Sequence, residues 1–415
     1  MKWKTFINIL LAVVVLFKNS GGEPVVINGS MIRSMVGTEL NRIRIHDWSG
    51  NPIPFQIDEI TESGEYVCPD GEASNKDSSN GVFDTQDEIV FLWGDCSKKK
   101  IEKPIDSSAK TVTVQIKNRN ETRYVLISDD KSIELSKKRY IRYDHGKQIL
   151  STPYFYAQFG KDRFHFITAG VKNFGKNDYV TLTNELRIKI LLKALWGLLP
   201  IRYSENNLVC VVKRYKVGPI RVIRRGDFHL NLGLGLKGSR AAVNQICYPS
   251  MVKVPVYVHV PVRFRSFFGE AYIEITPVIN SAADGYEFFV PKADFRANTK
   301  GTEIDTLLMI NPNNEYMSVN DGTRGYGWLL KAGIPDTLLK RSSFVFRRPS
   351  VRSGVSDCGF RIILRDLPKG YYEITNWVLF PGCVQVRDLS DYFESGIAAS
   401  EVLTDYGNFR NRIAD

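Results

Sequence analysis

Residues 75–88 read N-K-D-S-S-N-G-V-F-D-T-Q-D-E and set oxygen-bearing side chains around one glycine. Alternating oxygens suit a hard divalent cation, and calcium takes about 6–8 of them. Asn80, the Val82 carbonyl, Asp84 and Asp87 are the candidate ligands, with Gly81 making the sharp turn. Lys76 and Ser78 stand at the first two ligand positions, where carboxylates would be stronger. The other reading of the segment is a polar hairpin loop with Asn80-Gly81 as its turn.

The second half of the segment, N-G-V-F-D-x-x-D-E, resembles the EF-hand-like calcium loops of dockerins and related secreted modules. That resemblance implies calcium as the cofactor. Two acidic pairs flank the loop, Asp58-Glu59 and Asp87-Glu88. A glycosidase acid/base couple needs carboxyls about 5–10 Å apart, and solvated carboxylates at strand ends are the plainer expectation. The five histidines are dispersed, with no zinc-type spacing, and no G-x-S-x-G elbow occurs. The G-x-G-x-x-G at Gly233 to Gly238 lies in alternating leucine sequence, which reads as strand and not as a nucleotide loop.

Basic residues recur beside aromatics. Arg221, Tyr257, Arg263 and Arg265 are the candidate ligand-binding residues. An arginine forks an anionic group while a tyrosine ring stacks on a sugar face, a pairing suited to acidic polysaccharide. A polar sheet face kept for solubility is the alternative. The strand Y-K-V-G-P-I-R-V-I-R-R, residues 215–225, resembles strands of the β-supersandwich domains of polysaccharide lyases and mutarotase-like modules. It carries no catalytic residue across. A lyase would need a neutraliser and a base, for which Arg263, His259 and Tyr257 are nominal candidates.

The elements that must position these groups are strands. Val254, Val256, Val258, Val260, Val262 and Phe264 alternate with polar residues and prolines. Pro255 and Pro261 place that strand at a sheet edge or at bulges. The sequence therefore predicts a mostly β fold: an antiparallel β-sandwich domain, then a larger β-sandwich or supersandwich with a few short helices. The expected divisions are 1–22, 23–136, 140–298 and 299–415, with a single domain over the last two as the alternative. Helices are expected near Trp328 to Lys331, Asp336 to Lys340 and Asp388 to Val402. Residues 186–199, L-R-I-K-I-L-L-K-A-L-W-G-L-L, read either as a lipid-surface helix or as a strand with a turn at Trp196-Gly197, and the strand is favoured.

Residues 1–22 have the layout of a secretory signal peptide: Lys2 and Lys4, an apolar run, then small residues to Gly22. A secreted or periplasmic location follows, with no transmembrane span after cleavage. The formal net charge of +11 suits acidic glycan, lipid head groups or envelope components, and the compartment argues against nucleic acid. Six cysteines in an oxidising compartment favour disulfides, with Cys68–Cys96, Cys210–Cys247 and Cys358–Cys383 expected. The function expected is non-enzymatic binding of acidic carbohydrate on a basic and aromatic sheet face, with peripheral membrane contact as an added option. The alternatives are an assembly component of the envelope or extracellular matrix, and a polysaccharide lyase or hydrolase.

Overall fold

The computed structural model describes residues 22–99, 109–118, 121–160, 164–173, 178–233, 236–260, 263–300, 305–311, 313, 315–347, 356–380 and 401–405. The leader expected at 1–22 lies outside them except for Gly22, as do Leu234, Gly235, Cys383 and most of the helix expected from Asp388. The protein is mostly β, built from antiparallel sheets. It forms two compact units. The first holds residues 1–141, 216–221 and 390–415, and the second holds 142–215 and 222–389.

The first unit is a small sandwich. Pro24–Asn28, Glu88–Leu92 and Phe55–Asp58 make one sheet. Arg44–His46, Glu121–Ser128, Thr111–Asn118 and Glu401–Asp405 make the other. The period of two works as it should: Ile27, Ile89 and Phe91 from the first sheet meet Ile45, Val114, Ile116 and Ile127 from the second in one buried cluster.

The second unit packs a ten-stranded sheet on a nine-stranded one. Rings meet across the two. Phe155 stacks on Phe380 at 4.1 Å, and Trp328 meets Phe360 edge-on at 4.9 Å. The centre of the larger sheet is the pair Tyr179–Ala194 and Phe268–Ile279. The centre of the smaller is Met251–Val260 beside Gly370–Leu379.

Several expectations change in this setting. Pro255 lies in an interior strand, not at an edge: Met251–Val260 pairs with Gly370–Leu379 on one side and Leu236–Cys247 on the other. The ladder with Leu236–Cys247 passes over Pro255, which has no N–H to give. Trp328 to Lys331 is strand, within Gly325–Ala332, because its alternate residues fill the sandwich. The helix Asp336–Leu339 forms as read. Residues 186–194 are strand and 195–197 a 3₁₀ turn, with Leu195 and Gly197 at positive φ of 49° and 108°. The Leu230 to Leu236 run is split by a hairpin, Val222–Gly233 returning as Leu236–Cys247.

The expected disulfides Cys68–Cys96 and Cys210–Cys247 are not formed, and the third falls on Cys383, outside the described residues. Cys96, Cys210, Cys247 and Cys358 are buried free thiols. A whole strand, Val222–Gly233, separates the strand of Cys210 from that of Cys247. Two strand spacings of about 4.8 Å exceed the usual Cα separation of a disulfide. Burial pushes the Cys210, Cys247 and Cys358 thiols up to about 12, so these sulfurs are inert hydrophobes at neutral pH.

Candidate functional site

The segment 75–88 caps itself. Asn80 Oδ1 accepts the Val82 N–H at 2.9 Å. Asp84 Oδ1 accepts from the Gln86 and Asp87 amides at 2.8 and 3.2 Å. Asp87 turns inward and is buried, accepting from Ile60 N–H at 2.8 Å and Asp84 N–H at 3.0 Å. Burial pushes its carboxyl above the usual range, with Asp84 and Glu59 adding to the effect against the two amide bonds. Val82 bridges to Glu39, and Gly29 packs so closely that a Cβ there would sit 1.8 Å from the Asp84 carbonyl oxygen. A cation at this loop would compete with these backbone donors. Among the described residues, no three His, Cys, Asp or Glu side chains are grouped to hold a metal ion.

One carboxylate of each acidic pair is buried, Asp58 in the first and Asp87 in the second. Asp58 and Glu88 are register partners on adjacent strands, and both grip Arg221. Arg221 Nε donates to Asp58 at 2.7 Å, and Lys216 Nζ adds a second bond to the same carboxylate at 2.9 Å. Gln56 Nε2 donates to Asp58 at 2.8 Å, while its Oε1 accepts the Arg221 backbone N–H at 3.0 Å. Gly218 leaves room for this: a Cβ there would fall 1.7 Å from Gln56 Oε1. Burial alone would raise the Asp58 carboxyl, but Arg221, Lys216 and Gln56 outweigh it and hold it below the ordinary range.

Arg221 is therefore no surface ligand residue. Its side chain is 1% exposed. It holds segment 216–221 to the first unit through a charge-balanced buried network, which is what an internal cation requires. Strand sequence alone cannot separate such an arginine from one that faces solvent.

The other three candidates sit together on the second unit. Tyr257, 54% exposed, and the exposed His259 occupy alternate positions on Met251–Val260 and so share the outer face. Their partners on Gly370–Leu379 are Glu373 and Tyr371. Tyr371 is 82% exposed and stacks on the His259 ring at 4.4 Å with 19° between planes. Burial raises the Tyr257 hydroxyl, Glu373 raises it further, and Arg225 opposes them, so Arg225 also belongs to this surface. Further along the same rows, Lys253 Nζ lies 4.9 Å from the Trp377 ring centre.

Arg263 and Arg265 follow the end of Met251–Val260. The Phe264 N–H bonds to the Leu367 carbonyl at 3.3 Å, in the segment leading to Gly370. Both arginines thus lie at the His259 and Tyr371 end of the strand pair. Arg265 is 75% exposed and only loosely paired with Asp366 at 3.8 Å, a carboxylate already held by Arg341. The geometry gives an aromatic platform with guanidinium groups at one end. Tyr371, the most exposed ring, was missed in sequence because the run of residues 370–379 contains polar and apolar positions without clean alternation.

A separate surface feature is the hairpin tip after Tyr179–Ala194. Leu195, Leu198 and Leu199 are exposed, Leu198 at 84%. Ala194 pairs with Phe268, which brings the tip beside the exposed Phe267. Arg202 on the returning strand is also exposed.

No protein-family model matches the chain, and no curated protein matches it in sequence. Among solved structures, it is similar to a glycosyl hydrolase family 38 protein from Enterococcus faecalis, with a TM-score of 0.46, 6% identity, and coverage of 94% of this chain and 46% of that one. An alpha-mannosidase from Enterococcus faecalis V583 matches with a TM-score of 0.46, 6% identity, and coverage of 93% and 45%. The Slr1438 protein from Synechocystis sp. PCC 6803 matches with a TM-score of 0.31, 9% identity, and coverage of 59% and 99%. The chain spans about half the length of the first two.

Proposed function

We propose that this protein binds acidic carbohydrate, without cleaving it, on the outer face of the nine-stranded sheet. The observation that carries the reading is the stacked pair Tyr371 and His259 beside exposed Tyr257, with Arg263 and Arg265 at the same end. An exposed flat ring offers its negative face to sugar C–H groups, and a guanidinium forks a carboxylate or sulfate. The net charge of +11, which becomes +8 when Lys2, Lys4 and Lys18 leave with residues 1–22 (11 − 3), adds long-range attraction to a polyanion. A secreted or periplasmic setting would supply such ligands.

Polygalacturonate and a sulfated glycan, titrated by calorimetry, test this. Binding should weaken as salt rises, and Tyr371→Ala or the pair Arg263→Glu with Arg265→Glu should each reduce affinity by about tenfold or more. Unchanged affinity in both variants would end the proposal. Absorbance from unsaturated uronate, lost in Tyr257→Phe and His259→Ala, would replace it with the lyase reading.

A second reading rests on the hairpin tip. Exposed Leu195, Leu198, Leu199 and Phe267 beside Arg202 suit shallow insertion at an anionic lipid surface. Cosedimentation with phosphatidylglycerol vesicles, lost in Leu198→Ser with Leu199→Ser, would support it. Equal recovery of both proteins with lipid would discard it.

A further inference from the structure

The second unit is not filled. Between its two sheets lies a cavity of about 240 Å³, lined by residues of both. Leu186, Ile188 and Ile190 on one central strand and Ile273 and Ile275 on the next face it from the larger sheet. Phe228, Val254 and Val256 face it from the smaller sheet. These are inward-facing apolar side chains, yet all are only half-buried. In a closed sandwich such residues would interdigitate to near-crystalline density.

The lining also carries polar atoms that the fold does not satisfy. Trp328 Nε1, Thr183 Oγ1 and Asn376 Oδ1 are buried and have no hydrogen-bond partner among the described residues. Trp328 and Thr183 are 4% and 2% exposed.

One edge of the cavity has a strong electrostatic bias. Arg224 is fully buried, and no carboxylate pairs with it among the described residues. Its guanidinium reaches the Tyr143 hydroxyl at 3.2 Å, Gln148 Oε1 at 3.1 Å and the Gln245 side-chain oxygen, and lies 3.7 Å over the Phe159 ring. Burial lowers its proton affinity, with only the Tyr143 and cysteine side chains opposing. Phe159, Phe164 and Gln245 stand between this cation and the cavity, since all three line it. Gln245 is the link. Its oxygen accepts an Arg224 N–H, which leaves its amide NH₂ to donate. Arg224 pairs with Gln245, and Val254 with Asn376, so these polar groups run across the sheet toward the unpartnered Asn376 oxygen.

We propose that this cavity is a binding site for a medium-chain amphipathic carboxylate, with its tail among Leu186, Ile188, Ile273 and Val256. The carboxylate accepts from the Gln245 amide, which relays the positive field of Arg224. This site is separate from the outer sheet face and does not depend on the carbohydrate reading.

Calorimetry on the full chain with decanoate, decan-1-ol and decyltrimethylammonium tests the proposal. Decanoate should bind at one site, about tenfold or more tighter than decan-1-ol, and decyltrimethylammonium should not bind. Gln245→Leu should cut the preference for decanoate over decan-1-ol to under about threefold. Ile188→Trp, which fills the cavity, should abolish binding of both with an unchanged far-ultraviolet circular dichroism spectrum. A brominated decanoate should quench tryptophan fluorescence in the parent and lose most of that quench in Trp328→Phe, a readout that holds even where the bulky variant does not fold. Tyr371→Ala should leave decanoate affinity unaltered. Equal affinity for all three amphiphiles, or decanoate binding that survives Ile188→Trp, would overturn the assignment.

Discussion

Arg221 and Arg224 stand three residues apart and are both buried, yet they have opposite surroundings. Arg221, in the first unit, meets two carboxylates, a glutamine and the Tyr66 ring, with Lys216 beside it. Arg224, in the second unit, meets a phenol, two amides, a carbonyl and aromatic rings. The first is a clasp in which charge is neutralised locally. The second is a cation whose hydrogen bonds are made but with which no carboxylate pairs among the described residues. A buried guanidinium thus serves the fold in one place and sets up a field in the other, and its partners decide which.

The sharpest break in that comparison is Asp58→Ala. Removing Asp58 leaves only Glu88 to offset the two cations Arg221 and Lys216, and the loss expected is about 3–5 kcal/mol. Urea unfolding gives the magnitude, and hydrogen exchange on Phe55–Asp58 places it in the first unit. A loss under about 1 kcal/mol would mean that the clasp carries no stability.

A smaller loss should follow from acid. The Asp58 carboxyl is held below its unfolded value, so the folded state binds fewer protons. Its contribution is complete at neutral pH, begins to fade as pH falls below about 4, and is gone below the folded-state value. Asp58→Asn should flatten that acid limb. An unchanged slope would assign acid unfolding to other groups, such as Glu274, which Arg347 and Arg361 hold below its ordinary range against the opposing effect of burial.

Arg224→Met should cost less, about 1–2 kcal/mol, because it removes a desolvated charge that no carboxylate offsets but leaves the Gln245 and Gln148 oxygens without their donor. A cost near that of Asp58→Ala would erase the distinction between the two arginines. Smallest of all should be Tyr371→Ala, within about 0.5 kcal/mol, since the ring is exposed. Calcium against chelator should move the thermal midpoint by less than about 1 °C if the backbone donors keep Asp84 and Asp87. A rise of several degrees would show that the loop rearranges around the ion.

The β class was legible in sequence because a period of two survives in single strands: Thr111–Asn118 alternates so regularly that its inward residues, Val112, Val114 and Ile116, can be named before any partner is known. Tyr257 was legible as a surface group for the same reason, one face of its strand being polar, whereas Arg263 and Arg265, read as a continuation of that strand, fall past its end at the 3₁₀ turn Phe264–Ser266. What the sequence could not carry is which strands neighbour each other. That choice put Val222–Gly233 between Cys210 and Cys247, Pro255 in a sheet interior, and Tyr371 against His259. It also buried Asp58 and Arg221 together, although 163 positions separate them. Local pattern fixes the direction in which a side chain leaves its strand. Only pairing and packing across the sheets decide whether it meets water, a counter-charge or an apolar hollow.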